Sequence, residues 1–188
     1  MHITPTTLPG VLLIEPRVFE DTRGWFLESF NARQFELAIG VHARAAGVHI
    51  QFVQDNLSHS KRHVLRGLHY QTPQAQGKLV QVISGEIFDV AVDLRRSSRT
   101  FGQWVGHRLS AESHHQVWIP EGFAHGFLTL SDTASVLYKV TNYYAPQCAH
   151  TLAWNDPALG IQWPLQGEPV LSEKDKQAVR LQVAPLFD

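Results

Sequence analysis

Cysteine is almost missing. Cys148 is the only one in 188 residues, which excludes an internal disulfide framework and any zinc site built from several thiolates. Charge of one sign is missing as well: 16 Lys plus Arg stand against 17 Asp plus Glu, for a formal net charge of -1, and no long basic block appears. Nucleic acid is bound through clustered basic residues, so none is expected as a partner. Long hydrophobic runs are lacking too. The longest near the start is Val11 to Ile14, with no Lys or Arg before it, so neither a signal peptide nor a membrane span is read and a cytoplasmic location is expected. Repeats, low-complexity tracts, a Gly-x-Gly-x-x-Gly fingerprint and a serine nucleophile elbow are all absent, and Gly77-Lys78 is followed by Leu rather than Ser or Thr, so no common nucleotide loop is present. What the chain does have is apolar bulk. Hydrophobic residues make up 44%, including 5 Trp, 10 Phe and 4 Tyr, which points to a packed, aromatic-rich core.

Pro and Gly are scattered singly, as they are when they punctuate many short strands. One domain over residues 1–188 is expected, all-β with a few short helices. From Lys78 to Leu94 apolar residues alternate around Ser84-Gly85, which reads as a β-hairpin with one wet face carrying Asp89 and Asp93. In Ala134 to Thr141, Val136, Tyr138 and Val140 share one face, so Tyr138 is placed on the core side. Further strands are read at Val11 to Val18, Trp25 to Phe30, Ile50 to Leu57, Val64 to Gln71, Phe101 to Leu109, Gln116 to Ile119 and Gly126 to Leu130. So many short strands fit two antiparallel sheets in a sandwich or jelly roll. Helices are expected at Ala32 to Ala38, after the N-cap Asn31, and from Ser172 to about Leu181 behind a capping-box-like start.

Eleven histidines raise the question of a metal. Small β-barrel metal sites present a His-x-His pair with a nearby carboxylate, whereas Leu65 to Gln71 supplies His69 alone, and the side chains of His114 and His115 would diverge on a strand. No metal and no cofactor are expected. Each remaining candidate has a structural reading beside a chemical one. His125, after the Pro120-Glu121-Gly122 turn, is either a hydrogen-bonded structural imidazole or a site residue. Lys78 has the parity of Val80 and Val82, so its ammonium either snorkels out at the strand end or stays inside opposite an anionic oxygen. Asp175 either completes the Ser172 cap or serves a site. Tyr138 is a core aromatic or a proton donor.

Seven ordered segments decide between these readings. They are Asp21-Thr-Arg-Gly-Trp-Phe, Gln54-Asp-Asn, Val64-Leu-Arg-Gly-Leu-His-Tyr-Gln, Gln76-Gly-Lys-Leu-Val, Val117-Trp-Ile-Pro-Glu-Gly-Phe-Ala-His-Gly-Phe, Leu137-Tyr-Lys-Val-Thr-Asn-Tyr-Tyr and Leu171-Ser-Glu-Lys-Asp. Together they resemble the dTDP-4-dehydrorhamnose 3,5-epimerase family of cupins nearly end to end. The resemblance implies a cupin jelly roll (double-stranded β-helix), a homodimer, and an isomerase that uses no metal and inverts carbons 3 and 5 of a dTDP-4-keto-6-deoxy sugar. By the same resemblance His69 is the base, Asp175 the carboxylate that orients it, Tyr138 the proton donor and Lys78 the residue near the keto oxygen. Arg23, Glu28, Gln54, Asp55, Asn56, Arg66, His125 and Lys174 fall on substrate-contacting positions, and Tyr144 falls where an aromatic stacks on thymine. A monofunctional 3- or 5-epimerase is the alternative within the same fold. A silent binding module would have lost His69 or Tyr138, and both are present. One departure is Ala149-His150, where relatives often carry Glu shortly after the Tyr-Tyr pair. Another is the run Gly40 to Gly47, read as a longer surface loop.

Overall fold

Short apolar alternations between single Gly and Pro residues do become strands in the computed structural model, which describes residues 1–43 and 49–188. In chain order the elements are β1 (His2–Pro5), β2 (Leu12–Glu15), β3 (Val18–Asp21), β4 (Gly24–Leu27), α1 (Ala32–Ala43), β5 (Gln54–Lys61), β6 (Leu65–Gln71), β7 (Lys78–Ser84), β8 (Glu86–Asp93), β9 (Trp104–Ser110), β10 (Gln116–Ile119), β11 (Phe123–Thr129), β12 (Thr133–Val140), β13 (Ala149–Thr151) and α2 (Glu173–Lys176). They form a six-stranded sheet ordered β1-β2-β10-β7-β12-β5, a five-stranded sheet ordered β13-β6-β11-β8-β9, and a separate β3-β4 hairpin. All named strand pairs are antiparallel.

The main core lies between the two sheets. Val80, Val82, Val117, Ile119 and Val136 from one meet Ile87, Ala91, Leu109, Phe123 and Phe127 from the other. Both outer faces are covered too. Phe35 and Ile39, one turn apart on α1, press with Phe30 and Phe52 onto Leu12, Leu79 and Trp118, while Leu152, Leu159, Leu181 and Phe187 of the C-terminal segment cover Tyr70, Val90 and Val92. Asn31 caps α1 as expected, its Oδ1 accepting the Gln34 amide at 3.1 Å.

The covered faces explain several departures from the sequence reading. The Lys78 to Leu94 segment is not a hairpin, because β7 and β8 belong to different sheets and the Ser84-Gly85 turn carries the chain across the sandwich. Nor is one face wet. Asp89 and Asp93 are buried; Asp93 takes Arg95, Ser98 and Thr100 as hydrogen-bond donors, and Asp89 pairs with His125. The expected Val11 to Val18 strand breaks after Glu15, before Pro16, and β2 is interior, between β1 and β10. The helix expected to run to Leu181 stops at Lys176. Beyond it the chain must extend, since Val179 exchanges backbone hydrogen bonds with Thr151 and Ala153. Helix α1 continues through Gly40 to Ala43, so that part of the expected loop is helical, and the rest of the run lies outside the described residues. Strands β1, β3 (beyond Val18) and β13 lie outside the strands expected from the sequence.

Gly85 makes the crossover possible. Its φ is +77°, and a Cβ there would sit 2.1 Å from the Thr133 carbonyl oxygen. Gly85→Ala is therefore expected to destabilise the fold by more than about 1 kcal/mol, read as a lower denaturant midpoint at unchanged slope. An unchanged midpoint would show that the turn relaxes freely.

Candidate active site

A cavity of about 370 Å³ opens between the sheets. Strand β6 lines one wall with Arg66, His69 and Gln71, joined by His125 of β11; the facing wall holds Lys78 of β7, Tyr138 of β12, and Gln54 and Asn56 of β5. Tyr144, His150 and Lys174 complete the rim. The base and acid expected from the sequence therefore stand on opposite sheets across one space.

A bulge sets the β6 wall. Residues on one face of a regular strand are an even number apart, yet Arg66 and His69 both line the cavity. Between the pairs His125↔His69 and Phe127↔Arg66 the register slips by one residue, so the extra residue on β6 resets the parity. Gly67 at the bulge has φ +118°, and a Cβ on it would lie 2.6 Å from the Gly126 Cα. Only a residue without a side chain fits there.

The bulge also meets Asp175. This carboxylate is buried at the start of α2, where the Ser172 hydroxyl accepts its backbone amide at 3.1 Å and donates to its Oδ2 at 2.8 Å. Its Oδ1 lies 2.6 Å from His69 Nε2. Burial is the largest influence on this carboxyl and pushes its pKa upward. The hydrogen bond and charge of His69, the Ser172 hydroxyl and the Gly67 amide together outweigh it, holding the group below the usual carboxylate range. A carboxylate can only accept, so His69 Nε2 carries the hydrogen and Nδ1 is left as the ring's free nitrogen. The carboxylate of Asp175 therefore holds the capping hydroxyl of Ser172 with one oxygen and the His69 ring with the other.

Lys78 resolves in favour of the interior. Its side chain is buried at the end of β7, and desolvation lowers its pKa from 10.5 to about 8, with the Asp89 carboxylate pulling in the other direction. Asp89 is buried as well and lies 2.7 Å from His125 Nε2. This makes a second carboxylate-imidazole pair, and His125 stands directly opposite His69 in the β6-β11 ladder. Tyr138 is partly buried. Burial pushes its phenol pKa up and the Arg66 guanidinium draws it partly back, so it remains a proton carrier at neutral pH.

Besides Asp175, which stands behind His69 rather than in the lining, three expected site residues do not reach this cavity. Asp55 lies between Gln54 and Asn56, so it projects from the other face of β5, where both its oxygens take Lys139 Nζ at 2.9 Å. Arg23 sits in the β3-β4 turn, 88% exposed and paired with Asp21. Glu28 lines a separate recess beside Phe30 and Gln116. Among the residues that sequence reasoning did not assign, Gln71 and Gln76 line the cavity and Asp89 supports it. Parity could have found Gln71, two residues after His69 on one face. Ala149 and His150 both line the cavity, and His150 Nε2 lies 3.1 Å from the Thr72 carbonyl oxygen. Among the described residues no three His, Cys, Asp or Glu side chains gather as metal ligands would.

Residues 5–183 match the family model described as dTDP-4-dehydrorhamnose 3,5-epimerase. The chain is 57% identical to the dTDP-4-dehydrorhamnose 3,5-epimerase of Pseudomonas aeruginosa, over 100% of this chain and 99% of that one. It is 54% identical to the Salmonella typhimurium protein of the same name, over 100% of both. The crystal structure of a dTDP-6-deoxy-D-glucose-3,5-epimerase from Legionella pneumophila in complex with dTDP-4-keto-L-rhamnose superposes with a TM-score of 0.93 at 48% identity, covering 99% of this chain and 97% of that one.

The burial of Lys78 has a measurable sign. Between about pH 8, its folded value, and 10.5, the ordinary value, the unfolded chain binds more protons here than the native state does. The charge therefore costs stability at neutral pH, and the cost fades as pH rises through that window. Lys78→Met is expected to raise denaturant stability at pH 7 by roughly 1–3 kcal/mol, with a gain that shrinks towards pH 10.5. A gain independent of pH would assign it to packing instead.

Proposed function

The chain belongs to the dTDP-4-dehydrorhamnose 3,5-epimerase family and is an isomerase of that activity, and we propose that His69, Tyr138, Lys78 and Asp175 carry its chemistry. The observation that carries this reading is the facing pair: an imidazole with its Nδ1 free, backed by Asp175, and a phenol on the opposite sheet of the same cavity.

The reaction inverts carbons 3 and 5 of dTDP-4-dehydro-6-deoxy-D-glucose. Both carbons flank the C4 ketone, so loss of either proton gives an enolate whose charge rests on O4. His69 Nδ1 takes the carbon-bound proton, and the Asp175 carboxylate stabilises the imidazolium that results. The Lys78 ammonium faces the oxygen on which charge develops. Its desolvation, unfavourable in the free protein, is offset when an anion forms beside it, which concentrates its stabilisation in the transition state. Tyr138 then gives its hydroxyl proton to the same carbon from the other face, inverting it. The phenolate regains a proton and His69 releases one through solvent, so the chemistry is a net isomerisation. Arg66 and Lys174 supply cationic groups for the diphosphate, Gln54, Asn56 and His125 supply polar contacts, and Tyr144 at the rim offers an aromatic face for thymine.

Residues 1–188 act in this reading as one domain, in the cytoplasm, without nucleic acid as a partner, and as a homodimer. Arg23 and Glu28 lie outside the cavity of their own chain, on or beside the β3-β4 hairpin. That hairpin exposes Phe19, Trp25 and Phe26, a cluster of aromatics that a second copy would cover. Packed so, the hairpin can bring both residues to a neighbouring site.

In deuterated water, the chain given dTDP-4-dehydro-6-deoxy-D-glucose is expected to exchange protons at both C3 and C5, followed position by position by NMR. His69→Ala should abolish exchange, a loss of at least about 10³-fold. Tyr138→Phe should retain exchange while epimerising incompletely. Exchange at C3 alone or C5 alone would make the enzyme monofunctional, and full exchange by His69→Ala would remove the assigned base.

For the assembly, sedimentation equilibrium should give twice the 21.2 kDa chain mass, and Phe26→Asp should shift it towards monomer with loss of turnover. A wild-type monomer would eliminate the shared-hairpin reading.

A further inference from the structure

The segment between β12 and β13 carries Tyr144, yet side chains rather than strand pairing hold its turn. Gln76 Nε2 donates to the Asn142 carbonyl at 2.8 Å. Gln54 Oε1 accepts the Tyr144 amide at 3.0 Å. Gln71 does most: its Nε2 donates to the Tyr143 carbonyl at 3.2 Å and the Gln74 carbonyl at 2.8 Å, and its Oε1 accepts the Ala145 amide at 2.9 Å. Both donor hydrogens are used, and the residue is 3% exposed. Tyr144 itself is 57% exposed, so its ring has little packing to aim it and takes its direction from this backbone.

We propose that Gln71 is a positioning residue for nucleotide recognition: it fixes the Tyr143–Ala145 backbone so that the Tyr144 ring is presented, before substrate arrives, as a stacking face for the base of a thymidine diphosphate sugar. The inference rests on the reading of Tyr144 given above. Gln71 follows His69 by two residues on the same face of β6, so one strand sets both the base that attacks the sugar and the platform that receives the nucleobase. The span between the two ends of the substrate is thereby built into a rigid element rather than left to a loop.

Gln71→Met keeps the side chain's length and removes its hydrogen bonds. It is expected to weaken dTDP binding, measured by calorimetry, about tenfold. KM for the dTDP-keto sugar should rise by a similar factor while kcat falls less than about threefold, because binding is lost equally in the ground and transition states. Gln71→Glu keeps the acceptor, loses donors, and should show the same split if the Met variant folds poorly. Tyr144→Ala sets the reference. Combined with Gln71→Met it should bind dTDP within about twofold of Tyr144→Ala alone, since the first change acts through the second residue.

Additive losses in the double variant, or a kcat that falls as far as KM rises, would overturn the proposal and leave Gln71 a general structural residue. Unchanged dTDP affinity in Gln71→Met beside a weakened Tyr144→Ala would overturn it too, with the stacking role of Tyr144 intact. Unchanged affinity in Tyr144→Ala would remove that underlying role itself.

Discussion

The hydrogen bond between His69 and Asp175 is the contact around which the site is organised. It joins β6 to a one-turn helix 106 residues later, and it forms only if three separate structures are in place. The β6 bulge must turn His69 towards the cavity. The Ser172 cap must present Asp175 rather than let the helix fray. The C-terminal segment must lie across the outer face of the five-stranded sheet, which the Val179 hydrogen bonds to Thr151 and Ala153 secure. The tautomer of His69 is therefore set by the fold's outermost layer. The same link explains why α2 is so short: a longer helix would pull Val179 off the sheet.

The second organising constraint is electrostatic. Two buried carboxylates, Asp89 and Asp175, each hold an imidazole at a cavity that also contains a buried ammonium. Such an arrangement does little for stability, because burying Lys78 costs more than its neighbouring carboxylate returns, as its lowered pKa indicates. Its value lies in preorganisation. Donors and charges already stripped of water need not reorganise when an enolate appears beside them. In the proposed mechanism the two faces of the sugar are served by different sheets, so inversion, which needs removal on one side and delivery on the other, follows from the sandwich geometry.

Parity made part of this legible in the chain alone. Period-two alternation put Tyr138 on the core side and Lys78 on the face of Val80 and Val82, and both line the cavity. The Ser172 cap was visible as a local pattern. Features that depend on distant contacts were not. Local alternation cannot tell a hairpin from a turn that changes sheets, so it pairs β7 with β8 and leaves the face of Asp89 to solvent, whereas that face, shared with Ile87 and Ala91, is buried by the opposite sheet. The odd spacing of Arg66 and His69 contradicted a regular strand, and only the register with β11 shows why. Asp55 failed for the opposite reason: motif membership placed it in the site, whereas strict alternation with Gln54 and Asn56 already pointed it away.

The chemistry of the Tyr144 turn follows from the charge its site must accept. A nucleoside diphosphate brings at least two negative charges, which the proposed function sets against Arg66 and Lys174 of the cavity lining. Had the turn been tied by carboxylates, their field would oppose that ligand; had it been tied by further lysines, their charge would have to be buried at a cost like that of Lys78. Glutamine amides avoid both. They carry donor and acceptor on one neutral group, so a single side chain such as Gln71 can hold a carbonyl and an amide of the same turn at once. Burial strengthens these bonds and makes each unpaired group more unfavourable, which favours a turn with one geometry over one that adapts. A rigid neutral frame beneath an exposed ring lets the nucleotide end of the site be selective in shape, while the fixed charges act on the diphosphate and the reacting oxygen.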